Sequence, residues 1–285
     1  MVNKIPRKYY YMYVDAMPSE QLDLEDPNAV ISLVAVGYTY KKRKPFKIRQ
    51  FKNYRSQKRK LKAVNDLCQL FNENYFYNLR VACGLAYIVD VIRWGEQVLD
   101  NLPASIGGIT PDNKYLRFNE TKIPIQRAKA FAWYTFGITM LSAPLASFAK
   151  ASNARKAYLL LDPLPGDTPG EYTPGIQLVQ LIIDNSELKE CWKKASEKFK
   201  GEIGFSYAGM KESSSQISVK QTDLAVLADW ISHACHALAN TQMILSGGFT
   251  ERERRILAEP ACILHKKKKL KIINFGIELK FETSD

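Results

Sequence analysis

Two apolar runs of this sequence end in an aspartate, and their side chains have the type and spacing of a metal site. Asp15 follows the run at 8 to 14, and Asp162 follows the run at 157 to 161. Ligands collect at the carboxyl ends of parallel strands in α/β proteins, so we expect both carboxylates in one cleft. Carboxylates without histidine or cysteine partners suit Mg²⁺ or Mn²⁺, which prefer oxygen ligands. Each aspartate alone is also a common turn residue, and this alternative stays open.

A third aspartate interrupts an apolar segment near the end of the chain. Asp229 lies within the sequence LADWI, at 227 to 231, in a segment predicted to be a buried helix. A buried unpaired charge costs on the order of several kcal/mol, so Asp229 requires a cation, a metal or a specific donor nearby. We favour it as the third metal ligand. Asp223 is held in reserve, because the first turn of the helix, where negative charge suits the dipole, explains it better.

The excess positive charge of the chain is concentrated in one segment. Lysine and arginine number 41 against 29 acidic residues, a formal net charge of +12. Residues 41 to 62, KKRKPFKIRQFKNYRSQKRKLK, contain twelve of the basic residues and no acidic one, so the rest of the chain is balanced. Such a concentration attracts a polyanion through counterion release, which is how phosphate backbones are bound without reading sequence. An acidic protein or a membrane surface would also be attracted.

Apolar and basic residues alternate through the middle of this segment. Phe46, Ile48 and Phe51 alternate with cations, which predicts a third strand and a hairpin with a basic tip. We predict nucleic-acid contacts at Lys41, Lys42, Arg43, Lys44, Lys47, Arg49, Lys52 and Arg55. The alternative is a solvated outer face, on which lysines discourage edge pairing.

Apolar periodicity and turn residues predict an alternation of strands and helices along the whole chain. We expect strands at 8–14, 29–40, 79–89 and 157–163, helices at 57–74, 91–102, 131–149, 175–200 and 221–245, a loop at 101–119, a strand from 204, and a helix from 251 before a lysine-rich strand. Residues 131 to 149 are uncharged over nineteen positions, nearly the length of a membrane span, but polar residues dilute them. We therefore predict a buried helix and no membrane partner.

Cysteine and histidine positions bear on compartment and on a second kind of metal site. Five scattered cysteines without a Cys-x-x-Cys spacing, and no secretory signal at the N-terminus, predict a reducing, cytoplasmic location. A zinc site from His233, His236, Cys262 and His265 is an alternative to ordinary packed histidines. His233 lies four residues after Asp229, so it shares that helix face and is a candidate partner for the carboxylate.

The order of elements and acids resembles the ribonuclease-H-like fold. More narrowly, Tyr-Val-Asp15, Leu-Leu-Leu-Asp162 and Leu-Ala-Asp229-Trp-Ile resemble the uncharacterised bacterial and phage family numbered three-eight-hundred among domains of unknown function. The resemblance covers roughly residues 7 to 245. It implies an α/β domain at 1–245, a ribonuclease-H-like mixed sheet flanked by helices, with an inserted loop around 101–122. Residues 246–285 are then a basic extension packed on this domain.

The resemblance implies a metal-dependent nuclease that cleaves phosphodiester bonds of DNA or RNA with Mg²⁺ or Mn²⁺, within a mobile-element or antiphage defence system. The family motif Asp-Glu-Ser-Gly is replaced here by Asp15-Ala16-Met17-Pro18, and the glutamine usual before the helix acid is Val226. Glu20 and Glu212 are weaker candidates for the missing acid. The alternative is therefore a catalytically degraded nucleic-acid-binding or scaffold subunit of a larger nucleoprotein or defence assembly. A third hypothesis is an interaction protein that uses the basic hairpin on an acidic partner.

Overall fold

A computed structural model describes most of the chain. The described residues are 7–17, 30–37, 47–76, 78–100, 107–109, 115–118, 121–161, 174–207, 216–239, 249–274 and 277. Several predicted site residues lie outside these ranges, namely Asp162, Lys41, Lys42, Arg43, Lys44, Glu20 and Glu212.

Helices and strands alternate along the chain, largely where apolar periodicity predicts them. The strands are β1 Arg7–Met17, β2 Val30–Gly37, β3 Arg80–Tyr87, β4 Gly107–Ile109, β5 Tyr115–Phe118, β6 Thr121–Pro124, β7 Ala154–Leu161, β8 Glu202–Tyr207 and β9 Leu270–Asn274. The helices are α1 Gln57–Asn72, α2 Ile88–Asp100, α3 Ile125–Ala151, α4 Pro174–Asp184, α5 Leu188–Phe199, α6 Gln216–Leu238 and α7 Glu251–Lys266.

The main sheet is mixed and has six described strands in the order β8-β7-β1-β2-β3-β9. β1, β2 and β3 pair antiparallel in succession, whereas β7 pairs parallel with β8 and β3 pairs parallel with β9. Helices flank this sheet. The fold is therefore α/β with a ribonuclease-H-like mixed sheet, and the predicted fold class is confirmed.

Burial explains why β2 and α6 form the centre of the region that carries two of the predicted acids. β2 is buried at every residue, as its nearly continuous apolar sequence VISLVAVG predicts for a central strand. α6 packs on β2 and on α7, and its residues Leu227, Trp230 and Ile231 are almost completely buried. An apolar helix of this kind is stable only when neighbours cover most of its surface.

Contacts between Cα atoms divide the chain into two compact units. The first comprises Met1–Tyr11, Leu24–Pro27 and Ile88–Glu212, and the second comprises Met12–Asp23, Asn28–Tyr87 and Ser213–Asp285. In the second unit α7 packs against α1 and α6, and β9 extends the sheet beside β3. The predicted domain boundary at residue 245 stays a prediction.

Two predictions about the middle of the chain have different outcomes. The uncharged run at 131 to 149 lies within helix α3, whose Ile138, Leu141 and Leu145 are buried. Among the described helices none combines the length and the hydropathy that crossing a membrane requires. The segment at 101 to 119, predicted to be a loop, instead contributes β4 and β5 to a small antiparallel sheet completed by β6.

Candidate functional site

The prediction that Asp15 follows the end of a strand is wrong. β1 continues to Met17, and Asp15 stands opposite Val34 in the antiparallel pairing with β2. Its carboxylate lies in a half-buried position, where Oδ2 accepts a hydrogen bond of 2.6 Å from Ser232 Oγ on α6. The hydroxyl supplies a donor to the carboxylate, so the acid is compatible with the interior of the strand.

Asp229 has the specific donor that its burial requires. Its Oδ2 accepts a hydrogen bond of 2.5 Å from the backbone N–H of Phe51, which is 178 residues away in the sequence. Its Oδ1 lies 3.7 Å from His233 Nε2, one helical turn further along α6. The expectation that His233 faces Asp229 is thereby met. The carboxylate thus joins α6 to the segment that precedes α1.

Ser232 connects the carboxylate of Asp15 to the backbone of α6. Its hydroxyl lies within hydrogen-bond distance of Asp15 Oδ2, at 2.6 Å, and of the backbone carbonyl oxygen of Asp229, at 2.8 Å. Ser32 Oγ of β2 lies 3.4 Å from the carbonyl oxygen of Ser232. Asp15 therefore binds α6 one turn after Asp229, whereas the carboxylate of Asp229 binds the N–H of Phe51. Ser232 was not predicted, although its position three residues after Asp229 suggested one helix face.

The segment from 47 to 53 is not a strand, contrary to the alternation of its apolar and basic residues. Residues 47–50 have no regular structure, and Phe51–Asn53 form a 3₁₀ turn. The carbonyl oxygen of Arg49 accepts a hydrogen bond of 2.7 Å from Trp230 Nε1. The backbone nitrogen of Arg49 lies 3.2 Å from Tyr54 Oη and donates to it. The N–H of Phe51 is bound by Asp229. The backbone groups of Arg49 and Phe51 therefore bond to side chains and not to the backbone of a neighbouring strand.

An aromatic cluster fixes the same segment to α6. The ring of Phe51 stacks on His233 at 3.8 Å between centroids and meets the edge of Trp230 at 5.0 Å. Tyr54 meets Trp230 edge-on at 5.7 Å. The ammonium group of Lys60, on α1, lies 4.0 Å from the centroid of the Phe51 ring, a cation–π distance.

Burial depresses the pKa of the basic groups in this cluster. Burial, together with His236 and Lys60, lowers the pKa of His233 to about 3, and burial lowers that of His236 to about 4. Burial also lowers the pKa of Lys60, and the nearby Asp229 carboxylate opposes this effect. Both histidines are therefore neutral at pH 7, so the ring stacked on Phe51 carries no charge.

The basic segment, which we define as residues 41–62, points its described cations into solvent. Only Lys60 is half-buried, whereas the other described cations are exposed, namely Lys47, Arg49, Lys52, Arg55, Lys58, Arg59 and Lys62. None of these seven forms an ion pair with another described residue. The predicted contacts Lys47, Arg49, Lys52 and Arg55 therefore lie on one exposed, anchored stretch of chain.

A second run of lysines near the C-terminus has a structural use. Lys267 Nζ lies 2.9 Å and 3.0 Å from the carbonyl oxygens of Phe71 and Asn72, at the C-terminal end of α1. Lys269 Nζ lies 3.1 Å from Asn74 Oδ1 in the turn that follows. Cations in these positions bind the last carbonyl groups of the helix and suit the negative end of its dipole. Part of this run is thus explained by the stability of α1.

The predicted zinc site is not formed. Among the described residues no three histidine, cysteine, aspartate or glutamate side chains are placed to hold a metal ion. His265 is exposed, whereas His236 and Cys262 are buried, and the Cys262 thiol interacts with Cys68 and Cys235. The explanation of Asp223 also fails, because α6 begins at Gln216 and Asp223 is not in its first turn.

No family model, no curated protein and no solved structure matches this chain. The resemblance to the uncharacterised family stays a prediction.

Proposed function

We propose that this protein binds the phosphate backbone of nucleic acid through the basic segment. The observation that carries the proposal is the set of exposed cations between Lys47 and Lys62, none of which forms an ion pair with another described residue. Hydrogen bonds and ring contacts at Arg49 and Phe51 bind this segment to α6. In the alternative hypothesis the lysines only keep the edge of a strand solvated, and this requires a strand at these positions. The described residues 47 to 53 form none, which weakens that alternative.

The N-terminus of α1 adds to the positive potential of the segment. Lys58 and Arg59 occupy the first turn of the helix, which contains no acidic residue. Cations there oppose the helix dipole and reduce stability, whereas carboxylates would increase it. A bound phosphate offsets this loss of helix stability, because helix N-termini and cations both attract anions. This arrangement is therefore better explained by binding than by stability.

Asp229 helps to hold the backbone of the basic segment in place. Its carboxylate binds the N–H of Phe51, and its neighbour Trp230 binds the carbonyl oxygen of Arg49. Between them these two residues of α6 fix the backbone that carries Lys47, Arg49 and Lys52. In this proposal Asp229 is a positioning residue and contacts no nucleic acid.

The test compares two variants with the same loss of charge. Binding of labelled DNA and RNA is measured for the native protein, for a variant with alanine at Lys47, Arg49, Lys52 and Arg55, and for a control with alanine at Lys189, Lys193, Lys194 and Lys198. The control cations are exposed on α5, where acids such as Glu190 accompany them. We expect the first variant to lose affinity by about tenfold or more and the control to lose much less. Equal losses would refute a role for the basic segment.

A second candidate function is metal-dependent cleavage of the bound strand. Its supporting observation is that Ser232 Oγ lies 2.6 Å from the carboxylate of Asp15 and 2.8 Å from the backbone carbonyl oxygen of Asp229, two residues that are far apart in the sequence. The two described acids do not by themselves fit a metal, because the N–H of Phe51 and the hydroxyl of Ser232 already donate to one oxygen of each. Mg²⁺ or Mn²⁺ would require Asp162 as a further oxygen ligand.

Cleavage is tested on labelled single- and double-stranded DNA and RNA with Mg²⁺, Mn²⁺ or EDTA. If the second candidate is correct, cutting requires metal and is lost in an Asp15→Asn, Asp162→Asn variant that still binds. Binding without cutting, equal in both proteins, supports the degraded, binding-only alternative. Assembly with other subunits and a place in a mobile-element or defence system remain predictions.

A further inference from the structure

Three tyrosine rings contact one another in a compact cluster on the first unit. Tyr9 and Tyr11 are two residues apart on β1 and therefore share one face of the strand, and Tyr158 of β7 completes the group. Ring centroids lie 5.8 Å apart for Tyr9 and Tyr11, 6.2 Å for Tyr11 and Tyr158, and 6.4 Å for Tyr9 and Tyr158, so they form a nearly equilateral triangle. Interplanar angles of 19° and 24° make the two pairs that include Tyr11 nearly parallel. We call this group the tyrosine cluster.

The tyrosine cluster is accessible from solvent. Tyr9 is 37% exposed, and no other large hydrophobic residue in the described part of the chain is exposed. Tyr11 and Tyr158 are half-buried, so parts of their side chains also reach the surface.

Polar groups fix one side of the tyrosine cluster. The hydroxyl of Tyr158 donates to Glu202 of β8, and Lys156 Nζ lies 2.5 Å from the same carboxylate. Lys156 and Tyr158 are two residues apart on β7 and share its face. Hydrogen bonds from Lys156 and Tyr158 lower the pKa of Glu202, so the carboxylate stays ionised and paired. The cation thus neutralises the acid that would otherwise repel a phosphate.

We propose that the tyrosine cluster stacks the unpaired bases of a single-stranded nucleic acid. Aromatic side chains displayed on a sheet face stack two or three bases in single-strand binding modules, and stacking tolerates any sequence because every base has a π-face. In a duplex the bases are stacked on one another and are not available to the rings. The inference rests on the proposed function, and it specifies the substrate as single-stranded DNA or RNA.

The test separates base stacking from backbone attraction. Affinity is measured for a ten-residue thymidine strand and for an abasic strand of equal length and charge, with the native protein, Tyr9→Ser and Tyr9→Phe. We expect the native protein to prefer the strand with bases by about fivefold or more. Tyr9→Ser should reduce this preference, and Tyr9→Phe, which keeps the ring, should retain it. A preference that Tyr9→Ser leaves unchanged would refute the tyrosine cluster as a stacking site.

A second readout does not depend on the basic segment. A thymidine trinucleotide is added at millimolar concentration to protein labelled with ¹³C-tyrosine, and the ring resonances of Tyr9, Tyr11 and Tyr158 are followed. Shifts of these resonances support the proposal. If the four-alanine variant of the basic segment binds normally, that result refutes only the proposed function. If none of the three resonances shifts, the proposal is overturned, whatever the result for the basic segment.

Discussion

At the scale of single residues, Asp229 is the side chain whose behaviour follows most directly from its surroundings. Its burial predicts a donor, but the sequence does not indicate which group donates. The donor is the backbone N–H of Phe51, 178 residues away, and only the folded chain brings the two together. Sequence analysis therefore finds the acid and misses its partner, since a backbone donor has no sequence signature.

Removing the carboxylate of Asp229 should destabilise the fold. Asp229→Ala leaves the N–H of Phe51 without its acceptor in a half-buried position, and we expect a loss of about 1–3 kcal/mol in the free energy of unfolding. Asp229→Asn keeps one acceptor oxygen and should cost less. Urea denaturation measures both, with Asp66→Ala on the exposed side of α1 as the control. Equal stability of Asp229→Ala and the native protein would contradict the anchoring role.

Two buried histidines make stability depend on pH. The pKa values of His233 and His236 are lowered from 6.5 to about 3 and about 4, mainly by burial. Below pH 6.5 the unfolded chain binds protons that the folded protein does not, so stability is fully present above this pH and falls as the pH is lowered towards 4. Each histidine contributes up to about 1.4 kcal/mol per pH unit.

Denaturation at pH 7.5, 6.5 and 5.5 checks this prediction. His236→Gln should reduce the slope of stability against pH. His265→Gln, a substitution at an exposed position near the end of α7, is the matched control. A native protein whose stability is constant between pH 7.5 and 5.5 would show that the histidines are not buried in their neutral form.

At the scale of elements, the alternating residues 46 to 52 show where pattern and structure diverge. Their period of two fits a strand, yet residues 47–50 are irregular and Phe51 begins a 3₁₀ turn. The outcome is decided by side chains of α6, which provide the partners for the backbone of Arg49 and Phe51. A local pattern contains no information about such partners, and tertiary context overrides strand preference.

The first turn of α1 offers a test in which stability and binding change in opposite directions. Lys58→Glu and Arg59→Glu place carboxylates at the positive end of the dipole, and Arg59→Glu can complete a capping box with Ser56, as Glu253 does with Thr250 in α7. We expect each to raise stability by about 0.3–1 kcal/mol and to weaken nucleic-acid binding.

The matched control lies at the opposite end of a helix. Lys266→Glu replaces an exposed cation in the last turn of α7, where positive charge is favourable, so it should lower stability. Thermal denaturation and a binding assay measure both effects. If Lys58→Glu and Arg59→Glu strengthen binding, the first turn of α1 does not contact phosphate.

At the scale of the whole molecule, the elements and their order were largely predictable and the site was not. Helices α1, α2 and α3 and strands β3 and β7 fall where periodicity predicts them, because burial of one face or of the whole element dominates their free energy. The small sheet of β4, β5 and β6 was missed, since its strands are three or four residues long and glycine and proline mark the surrounding turns.

The distribution of charge also belongs to the whole molecule. Outside the basic segment the chain holds equal numbers of basic and acidic residues. The C-terminal lysines include two that bind the end of α1 and its following turn. The basic segment is therefore the region whose charge the described contacts leave unexplained, and binding of a polyanion explains it.

Photo-crosslinking tests this claim most directly, because it locates the contact. A strand carrying photoreactive thymidine analogues is crosslinked to the native protein, which is then digested and analysed by mass spectrometry. We predict crosslinked peptides from residues 41 to 62, and their loss when sodium chloride is raised to about 0.5 M, because salt suppresses counterion release. Crosslinks confined to other regions, such as the lysines at 266 to 271, would contradict the account.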